Sequence, residues 1–251
     1  MSHGGGLNGG NHQVAFPESV AINASGYLYI GDMSYSRIQE FDRAGLLVGQ
    51  WGLAAGSNGQ TDFPRGLAVN RTGYIYAADN GNCRVQVFDS AGNLIAQWGE
   101  VGDAPGQFSI PSGISVNASG TVYVADTYND RIQIFDPTGT YIMQWRSQGR
   151  GDSQFETPYG IATDSGSDVY VADSGNNRIV KYSFSTPSLP ASENLTSTEL
   201  PTLRTPVQAL PTFTPVTMLQ TTQASSLLSS GLSITIIAVL AMVRSLYRRK
   251  R

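Results

Sequence analysis

"ADNGNCRVQVFDSAGNLIAQWG", residues 78–99, is the stretch whose reading decides the fold. A strand-like run ends in Asp79. The polar turn 80–83 leads to Arg84 and the alternating run "RVQVF". Asp89 to Asn93 form a second turn, and a third run ends at Trp98. Short alternating runs separated by turn residues mark antiparallel hairpins rather than helices. "DSAG" and, just upstream, "NRTG" put glycine where such hairpins need positive φ.

The same order recurs. Pro17, Pro64, Pro111 and Pro158 stand 47 residues apart. Asp32, Asp79, Asp126 and Asp173 keep that spacing, as do Arg37, Arg84, Arg131 and Arg178. Phe41, Phe88, Phe135 and Tyr182 follow it too. So do Trp51, Trp98 and Trp145, but the fourth copy has no tryptophan in register. In the second copy the strands read 66–70, 74–79, 84–89 and 94–98, and no stretch before residue 224 keeps a helical period. Four short antiparallel strands per repeat of this length form a propeller blade. The expected fold is all-β: four blades over 17–184. The fourth stops after its third strand at Phe184 and is incomplete.

The pattern Pro-x-Gly-[Ile/Leu]-[Ala/Ser]-Val-Asn, Tyr-[Ile/Val]-Ala-Asp, Asn-x-Arg-[Ile/Val]-Gln-x-Phe-Asp, Gly-x-[Leu/Tyr]-Ile-x-Gln-Trp resembles the NHL repeat over residues 15–184. The Trp-Asp dipeptide of WD40 blades is absent, and "FD" stands near its place. The resemblance implies a propeller of typically six blades, more than the repeats in this chain. With too few blades to close, and edges at Phe16–Asn23 and Arg178–Phe184, the expectation is an open arc that pairs with itself through those edges.

The Asp and Arg of each copy stand five residues apart across a turn. The pairs Asp32–Arg37, Asp79–Arg84, Asp126–Arg131 and Asp173–Arg178 are read as structural ion pairs that hold the second and third strands in register. Arg offers a planar fork that suits a carboxylate. The tryptophans are read as wedges between blades.

Residues 1–184 carry 10 Lys and Arg against 17 Asp and Glu, which makes a poor partner for a phosphate backbone. Cys83 is the only cysteine, so no disulfide forms within the chain. Residues 185–226, rich in Pro, Thr and Ser, read as a stalk. The uncharged segment 227–243, followed by the basic tail "RSLYRRKR" at 244–251, reads as a transmembrane helix with a cytoplasmic C-terminus. The blades are then expected on the outer face of a membrane. Residues 1–16 resemble part of an inter-blade segment, since Gly9 to Pro17 aligns with Gly56 to Pro64, and they hold no apolar core of a leader. The expectation is that earlier blades and an export signal precede Met1. The alternative is a short protein inserted through its tail. Asn23, Asn70 and Asn117 in one turn position, and Asn194 in the stalk, lie in N-glycosylation sequons that the turn chemistry also explains.

A lyase that matures amidated peptides shares this propeller type and holds zinc through histidines. Here His3 and His12 are the only histidines, both in the N-terminal segment, so neither that activity nor a metal site carries over. No catalytic set, cofactor or metal is expected. Glu18, Arg65, Ser112 and Tyr159 follow the four prolines and should ring the mouth of the channel. Tyr35, Asn82, Asn129 and Asn176 lie beside them in the turns after each Asp. These eight residues are the candidate binding residues for a protein or glycan partner on the face of inter-blade loops. The alternative function is a propeller lyase or hydrolase whose metal-binding blades lie outside this sequence.

Overall fold

The computed structural model describes residues 14–52, 59–146, 148–152, 154–183 and 214–219. Their strands form four antiparallel sheets of four. The first blade holds β1 (Pro17–Ile22), β2 (Leu28–Asp32), β3 (Arg37–Phe41) and β4 (Leu47–Trp51). The second holds β5 (Pro64–Val69), β6 (Ile75–Asp79), β7 (Arg84–Phe88) and β8 (Leu94–Trp98). The third holds β9 (Pro111–Val116), β10 (Val122–Asp126), β11 (Arg131–Phe135) and β12 (Tyr141–Arg146). The fourth holds β13 (Pro158–Thr163), β14 (Val169–Asp173), β15 (Arg178–Ser183) and β16 (Thr214–Leu219).

Each blade is a meander, so consecutive strands pair and the turns alternate between two ends. Asp79 pairs with Arg84 as the last rung of the β6–β7 ladder, and the other three Asp–Arg couples hold the same rung. At the opposite end, Gly26, Gly73 and Gly120 close the β1–β2, β5–β6 and β9–β10 turns with positive φ. Ser167 takes that conformation in the fourth copy, with φ of 69°.

The innermost strands β1, β5, β9 and β13 lie side by side in chain order. Glycine allows this approach: a Cβ on Gly113 would lie 2.5 Å from the Tyr159 carbonyl oxygen of the next blade. The core is divided between the blades. Tyr29 and Ile38 of the first meet Leu67, Ile75, Ala77 and Phe88 of the second. Equivalent residues fill the second-to-third and third-to-fourth junctions. Trp51 packs on Phe88, Trp98 on Phe135, and Trp145 stacks on Tyr182 with ring centres 4.1 Å apart.

The fourth blade differs from the sequence expectation. It is not left with three strands: β16, from the stretch read as stalk, pairs antiparallel with β15 and completes the sheet. The backbone of β15 would otherwise present unpaired N–H and C=O groups, and β16 takes them up. The edge expected at Arg178–Phe184 is therefore covered along β15. Pro215 is tolerated because β16 is the outermost strand of its sheet. Among the described residues no helix is long and apolar enough to cross a membrane. The segment 227–243, the basic tail, Asn194 and most of residues 1–16 lie outside the described residues.

Candidate functional site

One end of the propeller carries the inter-blade loops and the β2–β3 type turns. The Asp–Arg pairs lie beneath it. All four aspartates are fully buried, and Arg Nε approaches Asp Oδ2 at 3.1, 2.8, 2.7 and 2.7 Å from the first blade to the fourth. The other oxygen, Oδ1, accepts the backbone N–H of Ala15, Asp62, Ser109 or Glu156. Arg131 donates to the carbonyls of Asp103, Ala104 and Gln107, and Arg178 to those of Arg150 and Gly151. In the second, third and fourth blades the pair thus clasps the loop arriving from the preceding blade as well as its own hairpin, and in the first it holds Ala15. Burial pushes the Asp126 carboxyl up. Hydrogen bonds from Asn129, the Ser109 N–H and Arg131 oppose that shift.

The turn residues Asn82, Asn129 and Asn176 donate from their amides to Asp79, Asp126 and Asp173. Asn129 and Asn176 also donate to the carbonyls of Gly102 and Gly149. Their amide donors are thereby engaged with the loop. Tyr35, in the same register, lies against the Arg37 guanidinium at 4.9 Å.

Three of the four residues expected at the channel mouth meet. The Tyr159 hydroxyl donates to Glu18 Oε2 at 2.6 Å. Arg65 Nε lies 3.4 Å from the same oxygen, and its guanidinium covers the Tyr159 ring at 5.1 Å. Burial first, then the bond to Glu18, holds the Tyr159 phenol well above its usual range, with Arg65 opposing. Ser112 is buried apart from this group and accepts a bond from Thr127 Oγ1 at 2.9 Å.

Sequence reasoning passed over the residues just before the prolines. Phe16, Phe63, Ile110 and Thr157 have φ of 57°, 50°, 56° and 46°. A bulky or branched residue rarely adopts this conformation, least of all before proline. The clasp enforces it. The residue before each takes its N–H to the buried Asp and its carbonyl to an N–H of the adjacent turn, at Ser34, Gly81, Tyr128 or Gly175. Phe16 and Phe63 are left 66% and 42% exposed, and Tyr128 on the same face is 67% exposed. The signal was present in the sequence: a position that changes between copies while its proline does not.

The sequon turns occupy the other end. Asn23, Asn70 and Asn117 each receive turn N–H groups on Oδ1. The amides of Asn23 and Asn117 donate to the hydroxyls of Tyr29 and Tyr123, and Asn70 bonds Tyr76 likewise. In the fourth copy Tyr170 donates to Asp164. Asn117 is buried. Among the described residues no group of three or more His, Cys, Asp or Glu is arranged to hold a metal ion.

Four-stranded antiparallel sheets arrayed around their innermost strands define a β-propeller. The NHL repeat pattern matches residues 61–88, 108–135 and 155–182, so the second, third and fourth blades carry NHL repeats. No curated protein matches it by sequence. Among solved structures it is similar to streptogramin B lyase, with 14% identity and a TM-score of 0.52, over 65% of this chain and 50% of that one. Virginiamycin B lyase from Staphylococcus aureus gives 17% identity and a TM-score of 0.50, over 65% and 51%. Kuenenia stuttgartiensis hydrazine synthase gives 18% and 0.52, over 70% and 49%. The chain therefore spans about half the length of these propellers, and the likeness is one of fold.

Proposed function

We propose that the protein is a non-enzymatic binding module. It takes a protein or glycan partner on the inter-blade loop face and is displayed on the outer surface of a membrane by its C-terminal apolar segment. The observation that carries this reading is the row of left-handed residues before the prolines. Their backbone is the same in every blade, while their side chains run Phe, Phe, Ile, Thr. Phe16, Phe63 and Thr157 are exposed and Ile110 is half-buried, and strain that recurs to present variable side chains at a surface is characteristic of recognition. The repeated aspartates are already paired with arginine and backbone N–H groups, so they favour scaffolding over chemistry. The Glu18–Arg65–Tyr159 group lies on the same face and adds polar contacts at its centre.

The test places a photo-crosslinking residue at Phe63, on the loop face, or at Leu46, which is 64% exposed in a turn at the other end. Both proteins are displayed on intact cells. A discrete adduct from position 63 and none from 46 supports the reading. Equal adducts from both, or none, would remove it. Protease added to such cells should release the blades from the membrane fraction; blades that stay protected would overturn the topology.

A further inference from the structure

Each junction between blades joins two different surfaces. One is presented by the earlier blade and the other by the later blade. The presenting surface of the second blade holds Tyr76, Ala78, Val85 and Val87. That of the third holds Tyr123, Ala125, Ile132 and Ile134, and all eight are buried. The receiving surface of the second blade holds Leu67, Ile75, Ala77 and Phe88, and these are buried too.

The two end blades each leave one of these surfaces uncovered. In the first blade the receiving positions are Val20, Leu28, Ile30 and Phe41. Val20 is 42% exposed where Leu67 is 7%, the other three are only half-buried, and Ile22 beside them is 65% exposed. In the fourth blade the presenting positions are Tyr170, Ala172, Ile179 and Lys181, all part-exposed, while its receiving residues Val169, Val171 and Tyr182 are buried. Tyr159 reaches Glu18 across the channel, yet the two surfaces stay open.

We infer that a second copy of this chain covers them: the fourth blade of one copy seats on the first blade of another, head to tail. The two surfaces match the partners that already bind one another within the chain. Tyr170, Ala172 and Ile179 stand in register with Tyr123, Ala125 and Ile132, and Val20, Leu28, Ile30 and Phe41 with Leu67, Ile75, Ala77 and Phe88. The interface continues the three junctions already formed. Lys181 is the exception in register, and the chain already accommodates a charge there. Glu40 is buried at the same position of the first junction, bonded to the Tyr29 hydroxyl at 2.9 Å. Lys181 likewise lies over the Tyr170 ring and pairs with Asp168. No tryptophan stands in register to cover Phe41, so the contact is weaker than the internal ones and depends on concentration. Such a contact is heterologous, and it either closes as a pair or continues as a chain.

Sedimentation velocity of the full chain in detergent tests this. The wild type should associate as concentration rises. Val20→Asp and Ala172→Arg, each at a part-exposed site, should each sediment as a monomer with an unchanged circular dichroism spectrum. If Val20→Asp fails to fold, Ile22→Glu replaces it. A mixture of the receiving and presenting variants should regain a dimer boundary, because one intact surface of each kind remains. A monomeric wild type, variants that associate like the wild type, or a mixture that stays monomeric would each overturn the inference.

Discussion

The Tyr159 hydroxyl donates to Glu18 Oε2 at 2.6 Å and so joins the first strand of the last blade to the first strand of the first. The two residues lie 141 positions apart in the chain. Arg65, from the second blade, supplies the countercharge. A bond to a charged acceptor contributes about 1.5–3 kcal/mol, so Tyr159→Phe should lower stability toward the lower end of that range at this part-buried site. Urea unfolding measures it, and hydrogen exchange along β1 should quicken. Unchanged exchange in β1 would show that the contact does not tie the two end blades.

Arg131 and Asp126 form the deepest of the four pairs, with both side chains wholly buried. Arg131→Ala leaves an unpaired buried carboxylate and three loop carbonyls without their donor. The expected cost is about 3–5 kcal/mol. Arg84 is 11% exposed, so water compensates part of its loss, and Arg84→Ala should cost less. Denaturant titrations of both variants check the order. A larger loss at Arg84 would contradict it.

Trp145 lies nearly parallel to Tyr182, with planes 16° apart, and closes the junction between the last two blades. Trp145→Ala opens a cavity there and should cost about 3–5 kcal/mol. The change should fall on the fourth blade first, read as early loss of protection in β14 and β15. Uniform loss over all four blades would mean that the junctions do not open separately.

Burial is the first cause that pushes the phenols of Tyr29, Tyr123 and Tyr182 up to about 12 from 10.0. In the unfolded chain they ionise near 10.0. The folded chain keeps these protons to higher pH, so it binds more protons between the two values. Their stabilisation is fully present below pH 10 and is lost as pH rises toward 12. Melting temperature should hold up to about pH 9 and fall steeply by about pH 11, with phenolate absorbance rising only as the protein unfolds. Phenolate that appears before unfolding would show these rings to be accessible.

What the sequence determined by itself is whatever is local. A strand alternates with its own neighbours, a turn needs glycine within four residues, and Asp79 finds Arg84 five residues on. All three are written within one repeat, and the period of 47 copies them into four blades. The tertiary structure decided what joins distant parts. β16 lies off the period, and only the open backbone edge of β15 draws it into the fourth blade. Glu18, Arg65 and Tyr159 converge because the inner strands curve around one channel, and no spacing along the chain records that curvature. The left-handed backbone at Phe16 and Phe63 arises when a buried carboxylate and a neighbouring turn pull on adjacent peptide groups. Those forces act between segments, so the variation at these positions was legible in the sequence but their strained backbone was not.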